Sequence, residues 1–202
     1  MNVKLNSTYY YLYIVGNVAV SGFISLFSVI AMLSLLLYPV LLKKITVKQL
    51  IQYSLLLAIP YGIIGILAKD NLVLLAIQGV IMGFVSLPAS YMSSLLIVDC
   101  ADYNEYNRRP RMEGTLGSVS GFASKVGGAL GTFLVGALLT ASGFSGTAEV
   151  QPNSALWMIR ICNSLLPMAF YLLAAFALHF YDLDKKKTEI TASLAQNKMT
   201  EA

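Results

Sequence analysis

The sequence predicts an all-α integral membrane protein of about five full transmembrane helices preceded by a truncated one, and three observations lead there. Hydrophobic residues make up 57% of the 202-residue chain and charged residues 12%. With a mean hydropathy of +0.69, a soluble domain of this size could not avoid exposing a large apolar surface. Five apolar runs reach the roughly 20 residues that a spanning helix needs, and Lys and Arg cluster at alternate ends of those runs. The runs are continuous rather than alternating, and each segment in lipid must satisfy its own backbone hydrogen bonds, so helices are expected rather than a barrel.

The first element, near 8–17, is Tyr-rich and apolar but too short to span, and the polar Met1–Ser7 in front of it adds no spanning length. It reads as the end of a helix whose beginning is missing. A signal peptide fits poorly, because no compact apolar core precedes a small-residue cleavage site and tyrosines favour the membrane interface. The full spans are expected near 19–42, 49–68, 72–98, 114–141 and 155–181, which makes 1–181 one transmembrane half-bundle. The remainder, 182–202, turns abruptly polar and reads as a frayed extension unable to form a domain of its own.

Orientation follows from the basic residues, which are retained on the cytoplasmic side near span ends. Lys43, Lys44 and Lys48 lie in one link, Arg108, Arg109 and Arg111 in the 99–113 link, and Lys185, Lys186 and Lys187 in the tail. The intervening links hold only Lys69 on one side and no basic residue between Ser142 and Ser154. The 99–113 link and the C-terminus are therefore expected to be cytoplasmic, in a multi-pass cell-membrane protein. The net charge of +4 comes from those clusters and reports topology and contact with anionic lipid headgroups, not nucleic-acid binding. Cys100 and Cys162 fall in different membrane layers without metal-ligand spacing, so neither a disulfide nor a metal site is indicated. His179 stands alone at the end of the last span, and no nucleophile–base pair accompanies it, which argues against an enzyme.

Polar chemistry is concentrated in Asp99-Cys100-Ala101-Asp102-Tyr103-Asn104-Glu105-Tyr106, followed by Arg111-Met112-Glu113-Gly114. Asp99, Asp102, Glu105, Arg111 and Glu113 could form ion pairs that open and close at a cytoplasmic gate. The other reading is a solvated loop with topology-setting arginines, since surface pairs contribute little by themselves.

Inside the spans, Lys125 lies eleven residues beyond Gly114, roughly 16 Å deep. An ionisable group there costs at least ~2.5–3.5 kcal/mol on insertion scales, so it should face a cavity or a partner. No other span offers a mid-depth carboxylate, so the partner is a ligand or lies outside this chain. Two readings remain open, a substrate or ion pathway and a structural pair. Small residues surround Lys125 at four-residue spacing, with Gly117 and Gly121 on one face and Ser120, Ser124 and Gly128 on another, which suits close helix packing or a moving, cavity-lining helix. In the preceding span Pro88 is followed by Ser90, Tyr91, Ser93 and Ser94. Hydroxyls and an aromatic ring there suit a sugar, while back-bonding of the serines to a Pro-kinked helix explains them equally well.

The run D-x-x-D-Y-x-E-Y, then R-x-E-G, then a helix containing S-K-V-G-G-A-L resembles the glycoside–pentoside–hexuronide:cation symporters of the major facilitator superfamily, over nearly the whole chain. The resemblance implies helices seven to twelve of a twelve-helix carrier, with helix seven cut short. It implies that the 99–113 link, with Asp99, Asp102, Tyr103, Glu105, Arg111 and Glu113, helps close the inner side. It also implies that Lys125 faces the central cavity, with Ser90 and Ser120 at positions where the family's melibiose carriers have cavity residues of other types; Tyr91 and Ser124 are expected beside them from the residue pattern alone. The resemblance places the coupling cation, Na⁺ or H⁺, and most sugar contacts on the first six helices. Sugar transport by this chain would then need an N-terminal half from a longer protein or a separate subunit. The alternatives are a non-transporting assembly partner and an inactive truncated remnant.

Overall fold

The protein is described here by a computed structural model covering residues 8–148 and 150–200. All regular structure among these residues is helical. Four helical stretches are long and apolar enough to cross a membrane: Val47–Ala68, Leu72–Tyr106, Glu113–Ala141 and Asn153–His179.

The N-terminal stub is a π-helical turn, Tyr11–Val15, that stops at Gly16 with φ +75. A residue with a Cβ would be strained there, so Gly16 ends the helix where the sequence places its end. Residues 1–7 lie outside the described part. The helix expected over 19–42 is instead three pieces: α1 (Ala19–Ile30), a 3₁₀ turn (Ala31–Leu36) and α2 (Tyr38–Leu41), with Pro39 in the first turn of the last. Apolar length alone does not reveal such a break.

Prolines also divide three of the longer spans. The first is made of α3 (Val47–Leu56) and α4 (Ala58–Ala68). It opens with a complete capping box between Thr46 and Gln49 and bends at Leu57, where Pro60 cannot donate to the Leu56 carbonyl. The next is α5 (Leu72–Tyr91) and α6 (Ser93–Tyr106). Asn71 Oδ1 caps it by accepting from the Val73 and Leu74 amides at 3.0 and 3.3 Å, and Pro88 lies inside α5 just before the bend at Met92. α7 (Glu113–Ala141) is unbroken over 29 residues. The last span comprises α8 (Asn153–Asn163) and α9 (Leu165–His179), separated at Ser164, whose φ −122 and ψ −62 leave the helical region. α10 (Lys187–Thr200) closes the chain.

Two differences from expectation shape the site. The helix expected to stop at 98 runs on to Tyr106, so the link shrinks to 107–112. A 35-residue helix is about 52 Å long against a hydrocarbon thickness of about 30 Å, so its acidic last turns project from the apolar layer. The polar tail also differs: α10 lies along α6 and buries Ile190 and Leu194.

α5 is the hub of the bundle, packed by α1, α3 and α4, while α9 covers α3 and α4. One apolar cluster gathers Tyr10, Ile24, Ala68, Leu75, Leu139 and Ile159; the other gathers Val47, Ile51, Leu55, Ala58, Val85 and Ala175. α7 stands apart, packing chiefly on α6 and α8. Phe122 and Phe133 on it are 70% and 74% exposed.

Candidate functional site

Because α6 is helical through the acidic run, Asp99, Asp102 and Glu105 recur every three residues and form one stripe along it. A loop would not have aligned them. Arg111, in the turn that follows, closes back on the stripe. Its guanidinium pairs with Asp102 and Glu105 at 2.9 Å each and with Glu113, the first residue of α7, at 2.7 Å. One planar fork thus joins the end of α6 to the start of α7, a geometry that suits Arg and not Lys. The hydrogen bond to Glu113 is the largest influence raising the Arg111 pKa, ahead of the bond to Glu105 and the charge of Asp102. The turn itself is tight, with Arg108 and Met112 in left-handed backbone conformations at φ 57 and 52.

Asp99, the first acid of the stripe, is buried and has different partners. Lys187 of α10 pairs with it at 2.7 Å, and the Tyr181 hydroxyl donates to it at 3.4 Å. Lys187 and Glu189, which accepts from the Tyr106 hydroxyl at 2.9 Å, escaped the sequence reading as partners because they belong to the segment read as a polar tail, and Tyr181 because it was read as the end of the last span. Tyr103 is not drawn into the cluster through its hydroxyl; its carbonyl accepts from the Asn107 side chain at 2.7 Å.

The residues expected to line a cavity form no comparable constellation. Lys125, Ser120 and Ser124 are exposed on α7 and make no side-chain hydrogen bond or ion pair among the described residues. A Cβ added at Gly117, Gly121, Gly127 or Gly128 would meet nothing within 4 Å, so the small-residue surface around Lys125 is bare, whereas Gly131, four residues beyond Gly127, is buried. Ser90 and Tyr91 are exposed at the end of α5. Their carbonyls accept from the Ser93 and Ser94 hydroxyls, so the serines of this stretch do bond back to their own helix.

Lys125 is not alone as a basic residue within a membrane-length helix. Arg160 lies one turn before the break at Ser164, with its guanidinium 5.3 Å from the Trp157 ring centroid and its Nε buried and unpartnered. Its place only five residues into the apolar run that begins at 155 hid it among span-end residues. Cys100 and Cys162 are both free thiols. Among the described residues no group of three or more His, Cys, Asp or Glu could hold a metal ion.

Four apolar helices of spanning length, three of them broken near prolines and two of them joined by a charged cluster beyond the apolar layer, define a multi-pass α-helical membrane protein. Residues 3–185 match the family described as MFS/sugar transport protein, and the chain belongs to that family. It is 34% identical over 145 residues to the uncharacterized symporter YnaJ of Bacillus subtilis, covering 69% of this chain and 30% of the relative. The isoprimeverose transporter of Lactiplantibacillus pentosus is 28% identical over 94% of this chain and 40% of its own length. The raffinose carrier protein of Pediococcus pentosaceus is 25% identical over 92% of this chain and 30% of its own. The chain thus spans about 30–40% of the length of these relatives. No solved structure matches it. The resemblance to the glycoside–pentoside–hexuronide symporters is borne out, and both family and relatives are transporters rather than enzymes.

Proposed function

We propose that this chain forms the C-terminal half of a sugar:cation symporter and transports only when an N-terminal half covers it. The observation that carries the reading is the bare, small-residue surface of α7 around the unpaired Lys125. A lone lysine in hydrocarbon is unfavourable, and carriers of this superfamily build their site between two halves. In this reading Lys125 faces the interface, with Ser120 and Ser124 on the neighbouring turn and Ser90 and Tyr91 on α5. The sugar binds there, and Na⁺ or H⁺ binds on the other half.

Arg111 with Asp102, Glu105 and Glu113 acts at the cytoplasmic gate. Exposed ion pairs suit this role, because the two states of a transport cycle must differ by only a few kcal/mol. The sugars that name these relatives, isoprimeverose and raffinose, support a glycoside or oligosaccharide as cargo.

The test is cation-driven uptake of labelled glycosides and pentosides into vesicles holding this chain, alone and with the product of the reading frame immediately upstream. Uptake with both chains only, lost in Lys125→Ala, is expected. Co-purification of the two chains without uptake would instead establish a non-transporting assembly partner, and neither uptake nor association would establish a remnant.

A further inference from the structure

Residues 181–194 do more than trail from the last span, because both neighbours they touch hold them by specific contacts. At the near end, the Lys48 ammonium of α3 donates to the carbonyls of His179, at 3.0 Å, and Tyr181. The first ends α9 and the second follows it by two residues, a place where a lysine is favourable. Further along, Lys187 pairs with Asp99 at 2.7 Å, the Tyr181 hydroxyl reaches the same carboxylate, and Glu189 accepts from Tyr106. Ile190 and Leu194, four apart on one face of α10, are buried at 4% and 9% exposure. Asp99 and Asp102 line one small crevice together with Leu183, Lys187, Ile190 and Thr191.

The acid stripe on α6 is therefore divided between two cations. Lys187 holds its first member, and Arg111 holds Asp102 and Glu105 one and two turns on. The Asp99 side chain is only 9% exposed, whereas Lys187 is 47% exposed. A carboxylate so placed depends on its partner, while the lysine can leave for water with little loss.

We infer that the segment 181–194 is a releasable strap: by neutralising Asp99 through Lys187 and covering α6 through Ile190 and Leu194, it fixes the end of α6 in the position from which Arg111 binds Asp102 and Glu105. Release of Lys187 leaves an uncompensated buried charge at Asp99, loosens the last turns of α6, and weakens the Arg111 cluster without any change in Arg111 itself. Ionic strength and anionic headgroups that attract Lys187 act on the strap directly. The device belongs to this chain alone and does not depend on whether it transports.

The experiment is hydrogen–deuterium exchange by mass spectrometry on the full chain in nanodiscs, comparing wild type with Lys187→Gln. The substituted side chain is half exposed, so the fold is retained, and the amides of α4 and α5 report that directly. Exchange in both 187–194 and 99–106 is expected to rise at least ~10-fold, the scale for losing a charge-assisted hydrogen bond. Wild-type exchange in the same two segments should also rise as NaCl is raised. Unchanged protection of 187–194 in the variant would overturn the strap. Faster exchange in 187–194 with 99–106 unaffected would show a docked tail that does not hold α6, and would overturn the inference as well. Because the readout needs no sugar, its failure leaves the transport reading standing, and loss of transport leaves the strap standing.

Discussion

The Tyr61 hydroxyl donates to the Asn163 carbonyl at 2.7 Å, across two spans and in the buried interior. Its partner is explained by Pro167, four residues on, which has no N–H to give that carbonyl. Tyr61 thus completes the backbone hydrogen bonding that the break between α8 and α9 leaves open. Tyr61→Phe removes the donor and keeps the ring, and it is expected to lower stability by about 1 kcal/mol, the scale of interhelical bonds in membranes. Unfolding in bicelles by increasing SDS would measure it; an unchanged midpoint would mean that water or another donor takes the place of Tyr61.

Glycines on this chain divide into two kinds. A Cβ at Gly65 would overlap Ser164 Oγ and Gln78 Nε2, both on buried side chains. Gly65→Ala is therefore expected to destabilise by ~1–3 kcal/mol through overpacking. A Cβ at Gly121 meets nothing, so Gly121→Ala should raise the stability of the isolated chain by ~0.5–1 kcal/mol through helix propensity. If the bare face packs on an N-terminal half, the same substitution weakens co-purification with that half. Equal destabilisation at both positions would contradict the open surface of α7.

Much of the bundle was legible because long apolar runs and Lys/Arg clusters act over whole segments. Pro88 marked its bend in the sequence, yet the break between Ile30 and Tyr38 depends on packing that no window of hydropathy contains. The Arg111 cluster was legible as a set of charges but not as a geometry. Its stripe exists because α6 continues to Tyr106, beyond the apolar residues that predicted a helix. Lys187 was invisible as a partner for the opposite reason: local composition called the tail polar, whereas docking on α6 is decided by Ile190, Leu194 and a partner 88 positions away at Asp99. Arg160 was missed because distance from a span end was judged by the apolar run rather than by the helix, which begins at Asn153.

Tyr181 supplies a pH test. Burial first, and then the Asp99 carboxylate beside it, raise the pKa of its hydroxyl above the ordinary 10.0. A raised folded-state pKa means that the stabilising contribution is fully present below about pH 10, where the unfolded hydroxyl also keeps its proton, and is lost as pH rises toward the folded value. The strap should therefore be indifferent to Tyr181 ionisation at neutral pH and loosen only in strong alkali. Tyrosinate absorbance of the wild type minus that of Tyr181→Phe should titrate above pH 10; a difference curve centred at or below that value would mean that Tyr181 is neither buried nor beside a charged Asp99.

Arg111 is the strictest test of the cluster because its three partners require a fork. Lys at this position keeps the charge but offers one ammonium where the three guanidinium nitrogens together meet Asp102 and Glu105 of α6 and Glu113 of α7. Arg111→Lys is therefore expected to resemble Arg111→Gln more than wild type in the exchange protection of 102–113, and high salt should diminish the wild-type advantage. The spans should be unaffected in all three proteins, since the cluster lies beyond the apolar layer. With a functional N-terminal half present, both variants should reduce sugar uptake while leaving Lys125-dependent sugar binding in place, which separates a gating role from a binding one. Full protection in Arg111→Lys would mean that net charge, and not the fork joining α6 to α7, holds this end of the molecule.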